Sequence, residues 1–358
     1  MNQTPTPAFR LLRASLLLFL LAVGLLTTAN AQTIRRCNNN PGVTGPNIYS
    51  SIQSAHDASA NGDIIYMEAS GTNYGPLSCA KRLTIYGRGY FLGTNPNGND
   101  TQTEAYMGSV TFGNGSSNTL MSGCGVYANS ATITFGTGVS GITVERSYVS
   151  DGIIFNSTCT GATSHFANSC TIKQCFINYG GIGGTCNTWE NNANRITILN
   201  CILNVNFGGF NNTIYFLNNS SVSNCNVALI RRVANMTVTN CLIYDFVDQY
   251  IATSFNYCLD RGNTVPAGTG NQNGIDFNNV YVSNVANPNV PDTRYQLSVG
   301  SPARGAGING TDCGAFGGAN PYVLSGQPPI PIITNLVSNP SGNNNAPLNV
   351  KISVRSNN

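Results

Sequence analysis

The eight residues ITILNCIL (196–203) recur in related form at four other places in the chain, and this repeat decides the fold. The other copies are ITVERSYV (142–149), CTIKQCFI (170–177), SSVSNCNV (220–227) and MTVTNCLI (236–243). Counted from the sixth position of each copy, successive copies lie 28, 26, 24 and 16 residues apart. A short motif at unequal spacings is typical of a solenoid, because its strands stack while the connecting loops differ in length.

Two columns of the aligned repeat are apolar, and a polar column lies between them. In ITILNCIL these positions are Ile198 and Leu203, with Asn200 between them. Side chains along a strand alternate with period two, so two residues five apart cannot face the same core from one straight strand. We therefore expect a bend at Asn200, since asparagine tolerates the left-handed backbone conformation better than most residues. Strand, asparagine corner and strand make up one turn of a β-helix coil.

The same assignment extends to every copy of the repeat. The first apolar column is Val144, Ile172, Ile198, Val222 and Val238, and the second is Val149, Ile177, Leu203, Val227 and Ile243. The corner column is Arg146, Gln174, Asn200, Asn224 and Asn240. Stacked asparagine side chains can hydrogen-bond along such a column. The pattern predicts an all-β chain folded as a right-handed parallel β-helix.

Residues 1–31 have the pattern of an export signal. Arg10 and Arg13 precede an apolar run at 15–26, which is followed by Ala29, Asn30 and Ala31, the small-residue pattern that signal peptidase cleaves. The run is shorter than the roughly 20 residues that a membrane span needs. We expect cleavage after Ala31 and a secreted protein, extracellular or periplasmic, with no membrane span.

The remaining chain divides into three predicted parts. Residues 32–62 form an N-terminal cap, in which 50–60 reads as a short helix with a serine N-cap and with Ile52, Ala55 and Ala58 on one side. Residues 63–318 form the β-helix. Residues 319–358 are a Pro- and Asn-rich linker or extended wrap that ends in a strand at 348–354.

Charged residues make up 9% of the chain, against roughly 25% in an average domain. A basic surface for nucleic acid is therefore not expected. The twelve cysteines contain no C-x-x-C pair, which argues against zinc-ribbon and thioredoxin sites. We expect no metal and no cofactor.

The cysteines at the position after the corner should point inward as small apolar core residues. They are Cys175, Cys201, Cys225 and Cys241. Their aligned side chains suit a disulfide poorly, so we expect them to be reduced. The better disulfide candidates are Cys37, Cys79, Cys124, Cys159, Cys170, Cys186, Cys258 and Cys313.

The two ends of the predicted solenoid resemble secreted right-handed parallel β-helix proteins of the pectate-lyase-like superfamily. NIYSSIQSAHDASANGDIIYM (47–67) is similar to the cap-helix segment of that superfamily, and SPARGAG (301–307) with DCGAFG (312–317) is similar to a closing phrase of bacterial members. The resemblance covers roughly residues 33–325. It implies the fold rather than an activity, because the fold carries lyases, hydrolases, esterases and non-enzymes.

Enzymes of this superfamily act mostly on acidic polysaccharides, and their catalytic groups are not evident here. No Asp-Asp pair and no Gly-His-Gly occur, as a hydrolase resembling polygalacturonases would need. The acidic residues of the repeat region do not recur in one column, as the calcium site of a pectate lyase would require. We expect a non-catalytic surface, adhesive or glycan-contacting module, whose partner would be an extracellular polysaccharide or a cell-surface glycan. The alternative is a polysaccharide lyase or hydrolase with an atypical active site.

Five residues are candidates for ligand binding. Tyr148, Phe176, Ile202 and Leu242 follow the inward column and should form an outward apolar stripe, which is either a binding surface or is covered by loops. Trp189 could stack on a sugar ring or anchor its own loop.

The remaining candidates are charged. Arg231, Arg232, Asp245 and Asp248 form a cluster that is either a salt-bridged surface patch or a ligand site. Glu145 and Lys173 should form a cross-strand ion pair. The two histidines, His56 and His165, have no partner pattern and are expected to be structural or solvated.

Overall fold

The computed structural model describes residues 32–93, 103–156, 166–185, 193–204, 213–282, 292–338 and 348–355. The chain divides into two compact units, Met1–Thr33 and Ile34–Asn358. The signal peptide predicted for residues 1–31 lies outside the described residues. The second unit is nearly all β, with long parallel sheets and one short α-helix among its described residues, and it confirms the predicted parallel β-helix.

Two long parallel sheets carry the solenoid, and their strands are numbered in chain order. The first sheet contains β1 (Ile34–Cys37), β2 (Ile48–Tyr49), β3 (Ile64–Met67), β5 (Thr84–Tyr86), β8 (Leu120–Ser122), β11 (Thr143–Glu145), β14 (Thr171–Lys173), β18 (Thr197–Leu199), β22 (Ser221–Ser223), β24 (Thr237–Thr239) and β26 (Ser254–Asn256). After β3 each strand pairs with the next one in this list, so the sheet grows by one strand per coil. β1 lies between β2 and β3, and the sheet therefore begins within the predicted cap.

The second sheet bends around the other sides of each coil. It contains β4 (Leu77–Cys79), β6 (Tyr106–Met107), β7 (Val110–Phe112), β9 (Gly125–Val126), β10 (Ile133–Phe135), β12 (Tyr148–Val149), β13 (Ile153–Phe155), β15 (Phe176–Ile177), β16 (Ile182–Gly184), β17 (Ala193–Asn194), β19 (Ile202–Leu203), β20 (Thr213–Tyr215), β21 (Leu217–Asn218), β23 (Asn226–Ala234), β25 (Leu242–Ile251) and β27 (Leu259–Asp260). The long strands β23 and β25 join rows of strands that are separate in the earlier coils.

The register agrees with the repeat alignment. Ile172, Ile198 and Val222 stack on adjacent strands of the first sheet. All ten residues of the two predicted apolar columns have no exposed surface. The β-branched side chains that dominate these columns favour a strand and fill the narrow interior.

The predicted left-handed corner is confirmed in every copy of the repeat. The backbone φ angles are 47° at Arg146, 54° at Gln174, 49° at Asn200, 51° at Asn224 and 54° at Asn240. A second left-handed position, which the sequence did not reveal, lies two residues before the first-sheet strands. Its members are Ser169, Arg195, Asn219, Asn235 and Ala252, with φ between 44° and 55°. The chain thus turns at two fixed points of these coils.

The cysteines after the corner are buried and free, as predicted. The column is longer than expected, because Cys124 and Cys258 precede strands β9 and β27, which continue the same row of paired strands. Cys37, Cys79, Cys124, Cys170, Cys258 and Cys313 are free as well, so their prediction as disulfide candidates is wrong. The first five belong to the main apolar core, where each acts as a small buried side chain. Cys159 and Cys186 lie outside the described residues.

The predicted cap helix is α1 (Ile52–Ala58). The Ser51 side chain accepts a hydrogen bond from the Ser54 N–H and so caps the first turn, while Ile52 and Ala55 are buried. The Lys81 Nζ donates to the carbonyl oxygens of His56, Asp57 and Ser59 at the C-terminal end of the helix. The helix dipole is negative at this end, so the positive charge of Lys81 is favourable there. This lysine ties the helix to the chain just before β5.

The segment 303–328, here called the C-terminal strap, runs back along the corner column. Asn240 Oδ1 accepts from the Ile308 N–H at 3.0 Å, and Asn200 Nδ2 donates to the Ala315 and Gly317 carbonyls at 2.9 and 2.8 Å. Asn224 contacts the Asp312 carbonyl, Gln174 the Pro321 carbonyl and Arg146 the Gln327 carbonyl. Later parts of the strap therefore bind earlier coils.

The strap changes the role predicted for the corner side chains. We expected them to hydrogen-bond to one another along the column, and the Arg146 Nε does donate to Gln174 Oε1 at 3.1 Å. The asparagines instead bind the strap, because its backbone has no sheet partner and offers carbonyl and N–H groups along their length. After the strap, β28 (Ile332–Ser338) and β29 (Val350–Arg355) pair as a two-stranded antiparallel sheet, the second strand matching the strand predicted at 348–354.

Candidate functional site

The predicted outward apolar stripe is not an open surface. Tyr148 is 6% exposed, and Phe176, Ile202 and Leu242 are fully buried. They form a second apolar cluster together with residues of the strap and of the chain just before it, among them Tyr295, Leu297, Cys313, Ala315 and Tyr322. The expectation of an exposed ligand-binding stripe is therefore wrong, and the alternative of a covered stripe holds. The strap, the chain just before it and the loop at 88–93, whose Phe91 ring packs on Tyr148 and Phe176, cover the stripe together. Trp189 lies outside the described residues.

The predicted charged cluster lies on three adjacent parallel strands. Tyr215, Arg231 and Asp248 stand side by side on β20, β23 and β25. The Arg231 guanidinium lies 3.8 Å from the Asp248 carboxylate, which is a loose ion pair. The parallel register alone brings these three residues together, since each occupies the same position in its own coil.

Asp245 belongs to the same strand but binds a different cation. Its carboxylate lies 3.0 Å from Arg261 Nη2, and the Arg261 guanidinium packs 3.8 Å from the centroid of the Tyr244 ring. Partial burial raises the pKa of Asp245, and the charge of Arg261 opposes this shift. The cluster is thus a network of arginines, carboxylates and aromatic rings.

A third left-handed corner shapes this face of the solenoid. Phe216, Arg232 and Gln249 follow the aligned residues Tyr215, Arg231 and Asp248, and their φ angles are 50°, 52° and 51°. The Arg232 guanidinium lies 5.4 Å from the centroid of the Phe216 ring, and its Nε donates to Gln249 Oε1 at 2.7 Å. The corner turns these three side chains outward on the rim of the cluster.

A cavity of about 200 Å³ opens at this corner. Its lining consists of Thr213, Tyr215, Phe216, Arg231 and Arg232. The Tyr215 ring lies across the neighbouring strand at Gly183, where a Cβ atom would come within 2.7 Å of the ring. Gly183 therefore lets the ring lie flat beside the cavity. Burial raises the pKa of Tyr215, with a smaller contribution from the negative charge of Asp151, so its hydroxyl stays protonated at neutral pH.

The cavity offers cationic donors and ring faces. A guanidinium carries several N–H donors in a planar fork that fits carboxylates and hydroxyl groups. Aromatic rings next to such donors suit a ligand that is polar at its edge and apolar on its face, as a sugar is. Two carboxylates of the charged cluster, Asp248 and Asp245, each pair with an arginine. The arrangement of guanidinium groups and rings is thus suited to holding a ligand.

Sequence reasoning named Arg231, Arg232, Asp245 and Asp248 but missed Thr213, Tyr215, Phe216 and Arg261. The missed signal was the spacing of 16 residues between the fourth and fifth repeats, which also separates Tyr215 from Arg231. A second alignment, extended past the repeat motif, would have placed these two residues side by side.

Glu145, Lys173 and His56 make structural contacts. Lys173 Nζ lies 2.7 Å from Glu145 Oε2, which confirms the cross-strand ion pair, and Ser122 also donates to Glu145. His56 is buried in the cap, where its Nε2 accepts from the Ala80 N–H at 3.0 Å. His165 lies outside the described residues. Within the described ranges, no group of three or more His, Cys, Asp or Glu side chains could hold a metal ion.

Within the part of the chain that the structure describes, no helix is both long and apolar enough to cross a membrane. Comparison with known proteins gave no family model that matches the chain and no curated protein that matches it.

Proposed function

We propose that this protein is a secreted, non-catalytic β-helix of the pectate-lyase-like type that contacts a glycan through the cavity at the third corner. The observation that carries the proposal is the lining of that cavity, in which the guanidinium groups of Arg231 and Arg232 stand beside the rings of Tyr215 and Phe216. Charge-assisted hydrogen bonds from arginine to a sugar carboxylate are each worth about 1.5–3 kcal/mol. Ring faces add stacking area.

The small volume of the cavity favours a polymer over a small metabolite. Small-molecule sites are clefts of roughly 300–1,000 Å³ that enclose most of the ligand, and this cavity is smaller. One sugar unit would rest in it while neighbouring units extend along the solenoid. Binding of this kind needs no acid or base, which agrees with the engagement of Asp245 and Asp248 by arginines.

Affinity electrophoresis of the full secreted chain tests the proposal. The protein is run through gels that contain polygalacturonate, alginate or a neutral galactan. We expect retardation in at least one acidic gel, and we expect the double variant Arg231→Gln, Arg232→Gln to weaken it by about tenfold or more, equivalent to about 1.4 kcal/mol. Arg88→Gln is the matched control, since Arg88 lies on an earlier coil and donates to the Thr103 carbonyl. Equal mobility in all gels would contradict glycan binding.

The catalytic alternative is tested with the same polymers. After incubation with the protein, the mixtures are assayed for unsaturated products by ultraviolet absorbance and for new reducing ends. A non-catalytic module leaves both readings at the level of the buffer control. A rise in absorbance would identify a lyase, and new reducing ends without that rise would identify a hydrolase.

Secretion is part of the proposal and has its own test. The support is the arrangement of Arg10, Arg13, the apolar run 15–26 and Ala31. Expression with the native N-terminus in a bacterial host, followed by N-terminal sequencing of the exported protein, should give a chain that begins at Gln32. An intracellular chain that retains Met1 would contradict it.

A further inference from the structure

One buried carboxyl group connects the strap to the rest of the molecule. Asp292 has no exposed surface, and its Oδ2 accepts the Ser325 N–H at 2.7 Å and the Tyr322 hydroxyl at 3.5 Å. The Tyr322 hydroxyl is also hydrogen-bonded to the hydroxyl of Tyr90, which belongs to an early coil. Three distant parts of the chain thus meet at this carboxyl group.

The end of the strap packs tightly around this network. The Tyr90 N–H donates to the Ser325 carbonyl at 2.8 Å, and the Arg146 Nη1 donates to the Gln327 carbonyl at 3.1 Å. Gly326 has a φ of +54°, and a Cβ atom there would lie 2.2 Å from the Tyr90 ring. The contact is close enough that the strap must move away before water can reach Asp292.

The hydrogen bonds around Asp292 offset only part of the cost of burying its negative charge. Its Oδ1 has no hydrogen-bond partner among the described residues, although it is buried. The titratable groups that face the carboxyl group are the neutral hydroxyls of Tyr90 and Tyr322. Arg294, two residues along the chain, donates to Asn204 Oδ1 at 2.7 Å, and residues 283–291 contain no titratable side chain.

We propose that Asp292 is a proton-controlled latch, which holds residues 321–327 of the strap closed over the apolar stripe when the carboxyl group is protonated and loosens them when it is ionised. The inference is independent of glycan binding, since the latch and the cavity have no residue in common. Opening would uncover rings such as Tyr148 and Phe176, which the strap and its neighbouring segments now bury.

The direction follows from the two states of the carboxyl group. Burial raises the pKa of Asp292 in the closed state from 3.8 to about 6, partly offset by hydrogen bonds from the backbone of Ser325, Asp292 and Thr293 and from the Tyr322 hydroxyl. In the open state the hydrated carboxyl group regains its ordinary pKa. Below about pH 4 both states are protonated, and the closed strap is at its most stable. Between about pH 4 and pH 6 the open state ionises first, so closure weakens as the pH rises and levels off above pH 6.

Hydrogen–deuterium exchange of the full chain, followed by mass spectrometry, measures the opening. Exchange of the peptide covering 321–327 is corrected for the intrinsic rate at each pH from about 4 to about 8. A pKa difference of about two units predicts a loss of protection of about 100-fold over this range. A core peptide covering 196–203 should keep its protection at every pH.

Two variants separate the latch from general effects of pH. Asp292→Asn keeps an acceptor for the Ser325 N–H and cannot ionise, so its strap should stay closed and show flat protection across the range. Tyr322→Phe removes one hydrogen bond to the carboxylate, so it should keep the pH dependence and move its midpoint upward. Three results would overturn the proposal: strap protection in the wild type that does not change with pH, the same change in Asp292→Asn, or parallel loosening of the core peptide.

Discussion

The molecule has two apolar interiors that differ in how the sequence builds them. The inner core lies inside the coils and contains residues such as Ile198 and Leu203, which the repeat supplies at fixed positions. The outer cluster lies between the coils and the strap, where Phe176 packs against Phe91 and Tyr295. The central side chains of both, such as Ile198 and Phe176, are fully buried. The inner core, however, depends on neighbouring coils, and the outer cluster joins segments more than one hundred residues apart.

This difference predicts a difference in response to damage. Residues of the inner core cannot become exposed by a local movement, because the strands of the neighbouring coils hold each coil in place. We expect the strap to detach as a unit, which would expose the outer cluster while the coils stay folded. Mutations in the two interiors should therefore differ in their effect on global stability even where burial is the same.

The largest effect is expected from Ile198→Asp in the inner core. A carboxylate would enter an apolar interior without a partner, and we expect a loss of about 4 kcal/mol in the free energy of unfolding. Urea denaturation followed by circular dichroism measures it. Ile251→Asp, at a residue that is 49% exposed, is the control and should change stability by less than about 0.5 kcal/mol. An unchanged midpoint for Ile198→Asp would mean that the column assignment is wrong.

The double variant Phe176→Ser, Ile202→Ser removes the centre of the outer cluster. Truncation of two such buried side chains in a rigid core would cost at least about 5 kcal/mol. Here we expect about 3 kcal/mol, since detachment of the strap limits the loss. Differential scanning calorimetry should show a lowered Tm, whereas Val299→Ser, at a residue that is 95% exposed, should not. A loss as large as the rigid-core value would show that the strap cannot detach separately.

Asn200 lies between the inner core and the outer cluster. Its replacement tests the two functions of the corner, which are to adopt the left-handed backbone conformation and to bind the strap. Asn200→Ala places alanine at a φ of 49° and removes two hydrogen bonds to the strap, for an expected loss of about 2 kcal/mol. Asn200→Gly removes the same hydrogen bonds but accepts the backbone conformation. Urea denaturation should therefore find the glycine variant about 1 kcal/mol more stable than the alanine variant. Equal losses would assign the whole effect to the strap contacts.

The smallest effect is expected at the stacked thiols, which should not react in the native protein. Burial raises the pKa of Cys175, Cys225 and Cys241, so little thiolate forms. Native alkylation at about pH 8, read by mass spectrometry, should leave these and Cys201 unmodified. Cys313 in the strap, whose pKa burial raises to about 12, should be modified sooner because the strap opens locally. A disulfide between any two stacked cysteines would contradict the parallel inward column.

The predictable part of the structure is the part that neighbouring repeats determine. The two apolar columns and the asparagine corner follow from period-two alternation and from the conformational tolerance of asparagine. The third corner was not foreseen, because Phe216, Arg232 and Gln249 share no residue type that favours a left-handed backbone. Only residues 319–328 of the strap fall in the predicted linker or extended wrap, and residues 303–318 were assigned to the β-helix. No local sequence pattern predicts that the Ala315 carbonyl accepts a hydrogen bond from Asn200.

Only the charged half of the candidate site could be predicted from the sequence. Arg231, Arg232, Asp245 and Asp248 stand out in a chain with few charges. Tyr215 and Phe216 do not stand out among its 31 tyrosine and phenylalanine residues, 16 and 15 respectively. They join the site through the register of β20 with β23, which becomes certain only when the loop lengths on both sides are known.

Because the strap runs antiparallel to the direction in which the coils stack, its length must match the number of coils. In most solenoids the number of coils is independent of the length of any other segment. Each coil from Asn240 back to Arg146 contributes one corner side chain that binds the strap. The strap residues that bind them run from Ile308 to Gln327, a few residues per coil. An ordinary solenoid can gain or lose a repeat by duplication or deletion, because each coil contacts only its neighbours. Here the loss of one coil would leave the strap too long by several residues, and a gained coil would leave it too short. Changes in repeat number must therefore be matched by insertions or deletions in the strap, 68 to 181 residues downstream, which makes this a solenoid of fixed length rather than an extensible array.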